Sequence, residues 1–308
     1  MDTLYINHKN ACLTIHQGRL VVGQADASQT FSLELLKRVV IGTTVDLNSS
    51  VIHCLVAKGV SLHFQSSRLN TTPVSVIAEP VANVCRRQGQ YCCIANKELS
   101  FRLARALVRY KLTRQSLWLK SINQAELSEK MSAILTSLNQ ISPDKGLLLN
   151  LEGQGAKQVY RAMQLILPAS LEFTGRNRRP PLDPVNALLS LGATGLYQQA
   201  ILSLCSRGLD CYAGVFHTPC HGRASLACDL TDCFRPELEA FVVDLFIRNI
   251  INKSHFSWRK KVECVLNREG QRIWYPLWYR FSKQVEKKMG VTALKWALGA
   301  EGWVGSPH

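Results

Sequence analysis

Two hydrophobic periods divide this 308-residue chain. Up to about residue 65, apolar and polar side chains alternate in short runs, the period of a half-buried strand. LYIN is followed by ACLTIHQ, a turn at Gly18 and RLVVGQ in hairpin order, and FSLELL and RVVIGTTVDL continue the pattern. Ser49 and Ser50 are placed to cap a short helix, VIHCLVAKG, which ends at a glycine, and VSLHFQ returns to a strand. Beyond about residue 95 the apolar spacing changes to three and four. In ELSFRLARALVRYKLTRQSLWLKSI, Phe101, Ala104, Leu107 or Val108 and Leu112 form one stripe, with Arg102, Arg105, Arg109 and Arg114 off it. Strands first and helices afterwards argue against an alternating βαβ sheet. The order predicts an α+β protein, with a mostly antiparallel N-terminal β-domain followed by a larger all-α domain. The expected boundaries are a strand-rich domain over 1–75, a linker over 76–95 and a helical domain over 96–308. The turn-prone LNTTP falls in the joint between the two patterns.

Composition narrows the class of partner. Hydrophobic residues make up 46% and charged residues 19%, as in ordinary folded proteins. The charge balance is unusual: 37 Lys and Arg against 22 Asp and Glu leave +15. That surplus favours a polyanion, nucleic acid first and an anionic membrane second. No apolar run approaches the about 20 residues of a membrane span. The opening MDTLYINHKNACLTIHQ, with Asp2 and its polar breaks, does not read as a signal peptide. A cytoplasmic location is expected, with the 11 cysteines reduced, and the odd count argues against a pure disulfide framework.

Chemistry-bearing residues are densest in GVFHTPCHGRASLACDLTDCFRP, residues 214–236. A soft zinc cage there would use Cys220, His221, Cys228 and Cys233. A hard-cation site would use His217, Asp229 and Asp232 and leave the thiols as packing. Cys228 and Cys233 have zinc-like spacing but lack a second pair, and on a helix five residues turn through roughly 500°, which separates them. Buried thiols acting as small apolar groups are the simpler reading. Asp229 and Asp232 stand three apart and share a helical face, although Asp229 can equally serve as a helix cap.

A cation acting on phosphates wants a further carboxylate. In LLLNLEGQGAKQVYRAM, Glu152 follows an apolar run and precedes two glycines, where backbone or nucleic acid can approach closely. A lone Glu at a helix start is also a common dipole partner. Arg176, Arg178 and Arg179 cluster before Pro180 and Pro181, a pair that cannot lie mid-helix. Such a cluster can clamp phosphates or remain a solvated loop. Asp183 is placed to cap a helix with Pro184 at its first position.

Three stretches in this order, LEGQGAKQVY, GRNRRPPLDPVNALLSLGATGLY and GLDCYAGVFHTPCHGRASLACDLTDCFRP, resemble the CRISPR-associated integrase family, the metal-dependent nucleases of spacer acquisition. LYINHKNACLTIHQGRLVV and RLARALVRYKLTRQ are similar to that family's β-domain and first long helix, and the resemblance spans roughly residues 3–250. Carried over residue by residue, it implies metal ligation by Glu152, His217 and the second acid of the D-L-x-[DE] motif, Asp232. Asp229 becomes a supporting residue. The resemblance thus implies Mg²⁺ or Mn²⁺ in a hard, oxygen-rich site with one imidazole. Cys211, Cys220, Cys228 and Cys233 depart from the family pattern. So does the aromatic, basic tail, where Trp274, Tyr275, Trp278 and Tyr279 either stack on splayed bases or pack in the core.

The implied reaction is transesterification, in which a 3′-hydroxyl of captured DNA attacks a phosphodiester at the edge of a CRISPR repeat. Water attack at the same site gives endonuclease activity. The implied partners are double-stranded and branched DNA, a second copy of the chain joined through the β-domain, and a small ferredoxin-like companion adaptation protein. Two other readings stand beside it: a non-catalytic basic nucleic-acid-binding protein, and a zinc-stabilised DNA-repair nuclease.

Overall fold

Alternation becomes strand pairing in the N-terminal part of the computed structural model, which describes residues 3–24, 27–64, 74–76, 84–260 and 262–302. The elements are β1 (Thr3–Ile6), β2 (Ala11–His16), β3 (Arg19–Gln24), β4 (Ala27–Ser32), β5 (Arg38–Ile41), β6 (Val45–Leu47), α1 (Ser49–Ala57), β7 (Ser61–Phe64) and β8 (Val74–Val76). They belong to a compact unit spanning Met1–Pro80. Among the described residues two four-stranded sheets form, in the orders β1-β5-β7-β8 and β4-β3-β2-β6. Leu4, Ile6, Leu13, Leu20, Val39 and Ile41, with Val51 and Leu55 of α1, make their shared core.

The α+β class holds, and parallel pairs stand beside the expected antiparallel ones. Among the described residues β2–β3, β3–β4 and β7–β8 are antiparallel, whereas β1–β5, β5–β7 and β2–β6 are parallel. The tight turn at Gly18, with φ 70°, joins β2 to β3 as a hairpin. The longer path from β5 through β6 and α1 to β7 is the crossover that a parallel pair requires. Local punctuation also differs from expectation. Asn48, one residue before the predicted serines, caps α1 by accepting from the Val51 N–H at 3.0 Å. FSLELL leaves β4 at Ser32 and turns through a 3₁₀ segment, Leu33–Leu35.

The second unit, Val81–His308, is built from α2 (Val84–Ala95), α3 (Lys97–Ser121), α4 (Ala125–Gln140), α5 (Lys145–Ile166), α6 (Pro184–Cys205), α7 (Ser225–Ile247), β9 (Phe256–Arg259), β10 (Glu263–Leu266) and α8 (Arg268–Gly302). Residues 84–95, expected as linker, are helical. Gln90 is why so polar a stretch docks: its Nε2 donates to the Asp210 and Ala213 carbonyls at 2.8 and 2.9 Å, and its Oε1 accepts from the Asp210 N–H at 2.9 Å. LNTTP lies outside the described residues. The β9–β10 hairpin also corrects the expectation of an all-α domain.

Along α3, Phe101, Ala104, Val108 and Leu112 are buried as the stripe predicts. Asp183 caps α6, accepting from the Asn186 N–H at 2.9 Å, with Pro184 at the first position. At 22 residues α6 is long and apolar enough to cross a membrane, which the sequence reading did not register. Here it packs against α7 and α8 as a core helix. On α8, Trp274 and Trp278 are buried and stacked at 5.5 Å, so their rings are core and not free to stack on bases. Tyr275 and Tyr279 are half-buried.

His63 of β7 is fully buried, with its ring nitrogens 2.8 Å from Ser75 Oγ and 3.0 Å from Ser61 Oγ. Burial, aided by the Arg38 charge, pulls its pKa from 6.5 down to about 3. Between those values the unfolded chain binds a proton that the native state refuses, so stability falls as pH drops through this window. Acidification should weaken amide protection in β5 and β7 by up to about 1.4 kcal/mol per pH unit. Hydrogen exchange should show that slope in the wild type and a flatter one in His63→Gln; equal slopes would remove His63 as the cause.

Candidate functional site

Three helices and two loops converge on one cavity of about 460 Å³. Glu152 faces it from α5 beside Leu149, Ala156 and Tyr160, residues spaced so that they share one face of that helix. Glu152 does not start a helix, as the sequence suggested. LLLNL is itself helical, and α5 begins at Lys145 under the cap Asp144, whose Oδ1 accepts from the Gly146 and Leu147 N–H groups. Nor do both glycines admit nucleic acid: a Cβ at Gly155 would strike the Leu112 side chain, so this glycine serves close packing of α5 on α3.

Asp232 and Arg235 enter from α7, one turn apart, and Lys111 enters from α3. His217 and Phe216 arrive on the loop between α6 and α7, and Arg176 and Arg178 on the segment before α6. The loop is pinned at several points. The Cys211 carbonyl accepts from the Leu226 N–H at 2.9 Å, Tyr197 accepts from the Ala224 N–H at 2.9 Å, and Lys145 donates to the Val215 carbonyl at 2.9 Å.

Asp229 fixes the histidine. It sits inside α7, not at its cap, and is 1% exposed. Its carboxylate accepts from the N–H groups of Val215, Phe216 and His217 at 2.8, 3.1 and 2.9 Å, and lies 2.8 Å from His217 Nδ1. Gly214 makes this approach possible, because any Cβ there would meet the backbone of His217, Ser225 and Leu226 within 3 Å. A ring that donates through Nδ1 leaves Nε2 with its lone pair available, the arrangement by which a carboxylate orients a metal-binding imidazole.

The acids are matched to cations. Lys111 Nζ contacts Glu152 Oε1 and lies 3.3 Å from Asp232 Oδ2, while Arg235 Nε donates to Asp232 Oδ1 at 2.9 Å. Burial would raise the Asp232 carboxyl, but Lys111 and Arg235, with His217 behind them, hold it well below the usual carboxylate range. Burial would likewise lower Lys111, and Asp232 and Glu152 reverse that shift. Beneath this layer Gln115 donates to the buried Glu239 at 2.9 Å. Burial pushes the Glu239 carboxyl up.

The sequence reading named Glu152, His217, Asp229 and Asp232, and all but Asp229 line the cavity. It missed Lys111 and Arg235. Both left a signal: Lys111 continues the buried stripe of α3 through Val108 to Gln115, and Arg235 follows Asp232 by one helical turn. The arginine cluster divides. Arg176 is committed to its own segment and to the start of α6, bonding the Asn177 carbonyl, Asn186 Oδ1 at 2.8 Å and Ser190 Oγ at 3.0 Å. Arg178 and Arg179 are exposed, and Arg178 borders the cavity.

Among the described residues no three His, Cys, Asp or Glu side chains stand close enough together to hold a metal ion. The donor chemistry nevertheless fits a hard divalent cation: two carboxylates already converge on one positive atom, and an oriented imidazole borders the same cavity. It fits zinc poorly. Cys220 is exposed, Cys233 donates to the Asp229 carbonyl at 3.5 Å, and burial pushes the Cys228 thiol up to about 11 and Cys233 higher still, away from the thiolate that zinc needs.

Comparison with known proteins places this geometry in a family. The chain is 29% identical over 298 residues to the CRISPR-associated endonuclease Cas1 1 of Thermodesulfovibrio yellowstonii, covering 92% of each chain. In fold it is similar to a casposase bound to integration product, with a TM-score of 0.85 at 17% identity, over 100% of this chain and 94% of the other. It is also similar to a chain of a Cas6-RT-Cas1–Cas2 complex, with a TM-score of 0.82 at 23% identity, over 97% of this chain and 35% of that one. Because the model of the family described as CRISPR associated protein Cas1 matches residues 4–280, nearly the whole of both units, the chain belongs to the Cas1 family.

Proposed function

We propose that this chain is a divalent-metal-dependent DNA endonuclease and integrase that inserts captured DNA into a CRISPR repeat array. Glu152, His217 and Asp232 are its metal ligands and Mg²⁺ or Mn²⁺ its ion. The observation that carries this reading is the meeting of two carboxylates and an Asp229-oriented imidazole at one basic cavity in a Cas1 chain. The ion, when bound, supplies a lowered pKa for the attacking 3′-hydroxyl or water and neutralises charge developing at the phosphate.

The chain's own residues do the remaining work. Asp229 holds His217 in the tautomer that presents Nε2. Arg178 offers a guanidinium at the cavity edge to a phosphodiester, and Arg176, tied to its own segment and to the start of α6, keeps that edge in shape. Arg235 clamps one oxygen of Asp232 and so presents the other inward. The +15 charge supports a polyanionic substrate carried on several DNA arms. Joining two strands requires two such sites at a fixed separation. We assign that role to a homodimer formed through the strand-rich unit and bridged by a small companion protein; the Cas1–Cas2 complex named for one structural neighbour supports the companion protein.

Glu152→Gln, His217→Ala and Asp232→Asn should each lower integration of a prespacer into a supercoiled repeat plasmid by at least roughly a hundredfold. DNA affinity measured without divalent ion should stay near wild type, and elemental analysis should find no stoichiometric zinc. Wild-type turnover in any one variant removes that residue from the ligand set.

Asp229→Asn should act through His217. It should weaken Mn²⁺ binding by about 10- to 100-fold, as expected for a side chain that orients a ligand. Unchanged Mn²⁺ affinity would leave Asp229 with a purely architectural role.

The arginines should separate. Arg178→Ala with Arg179→Ala should weaken DNA binding regardless of sequence and flatten the log-affinity against log-salt slope by about 0.9 for each phosphate no longer neutralised. Arg176→Ala should instead lower the melting temperature. An unchanged salt slope in the double variant would place both exposed arginines outside the DNA path.

A further inference from the structure

Asp232 has a cation on each oxygen, Arg235 on Oδ1 and Lys111 on Oδ2. The same ammonium contacts Glu152, and the Lys111 side chain is 5% exposed. Lys111 therefore holds the point on which carboxylates from two different helices converge. Two carboxylates brought together in a buried site repel strongly unless a positive charge stands between them.

A divalent ion ligated by Glu152 and Asp232 would draw on the same two carboxylates that the ammonium now bridges. Carboxylate oxygens bind Mg²⁺ at about 2.0–2.1 Å, so ion and ammonium would lie side by side in a poorly screened interior. Their repulsion favours the withdrawal of one of them. Arg235 is held to Asp232 across one helical turn as a rigid, planar group, whereas Lys111 ends in a compact ammonium on a flexible four-carbon stem. Of the two resident cations, Lys111 is the one able to leave. Gln115, one turn beyond Lys111, and Glu239, two turns beyond Asp232, lie further along the same α3–α7 seam and offer polar groups on that side.

We propose that Lys111 is a resident counter-cation of the Glu152–Asp232 pair that competes directly with the divalent ion. It stabilises the acids before the ion binds and sets the ion's affinity below what the ligands alone would give. This inference rests on the ligand assignment proposed above, and its test reads binding and stability and not turnover.

Mn²⁺ is titrated, without DNA, into wild-type protein and Lys111→Met, with free Mn²⁺ followed by its paramagnetic resonance signal. Lys111→Met should bind Mn²⁺ at least about tenfold tighter. In EDTA it should melt at a lower temperature than wild type and gain more on adding Mn²⁺. Lys111→Met combined with Glu152→Gln, which restores charge balance, should recover much of the loss in EDTA. Lys111→Gln, which keeps a hydrogen-bond donor, serves with the same criteria if Lys111→Met does not fold. Tighter binding by the neutral variant, or binding by that variant alone, supports the inference. Equal or weaker binding than in wild type overturns it while leaving the ligand assignment in place. Mn²⁺ binding by neither protein overturns both.

Discussion

Three helices meet at Lys111 of α3, whose ammonium contacts Glu152 of α5 and lies 3.3 Å from Asp232 of α7. Burial alone would disfavour the charged forms of Lys111 and Asp232. Glu152, Asp232, Lys111 and Arg235 satisfy one another, and breaking one pair would leave an uncompensated charge in a poorly hydrated cavity wall. The network therefore does more than decorate a cavity. It fixes the register of three helices at the place where the chemistry is proposed. The apolar seam around it, with Leu112, Val108 and Val159 buried, only has to exclude water.

The parts legible in the sequence were those set by local rules. Period-two runs became strands, and the stripe through Phe101, Ala104, Val108 and Leu112 became the buried face of α3. Asp183 with Pro184 opened α6 as read. What failed depended on distant partners. Strand direction is settled by crossovers that no short window contains, so the parallel pairing of β1, β5 and β7 was not foreseen. The polar stretch 84–95 looked like linker because its helix owes its place to Gln90 gripping backbone about 120 residues away.

The site shows the same division. Glu152, His217 and Asp232 were carried by motif resemblance, and the ordering of His217 by Asp229 was only foreshadowed as a supporting role. The four bonds that hold Asp229 come from residues 12 to 14 positions upstream, across a loop whose path the sequence alone does not reveal. Lys111 was hidden for a different reason. A lysine inside an apolar stripe reads as a boundary residue that snorkels outward, and only two acids from other helices turn it inward. The thiols drew attention by their density, but α7 distributes them: Cys233 is buried, its Sγ donating to the Asp229 carbonyl, and Cys228 is half-buried.

Charge around the cavity links its occupants. Lys111, Arg176, Arg178 and Arg235 outnumber Glu152 and Asp232 among its lining residues, so the walls are already net positive. On the ligand assignment proposed here, a divalent ion adds two further charges to that excess. A phosphodiester brings the compensating negative charge, and its oxygens are also acceptors for an ammonium released from the acids. Ion and DNA would then favour each other's binding by the same free energy, since such coupling is reciprocal. On that assignment the site is poorly suited to holding a tightly bound ion at rest and well suited to assembling one around nucleic acid. That restraint suits a nuclease, because an ion bound tightly before DNA arrives would leave the hydrolytic chemistry armed in the absence of its proper substrate.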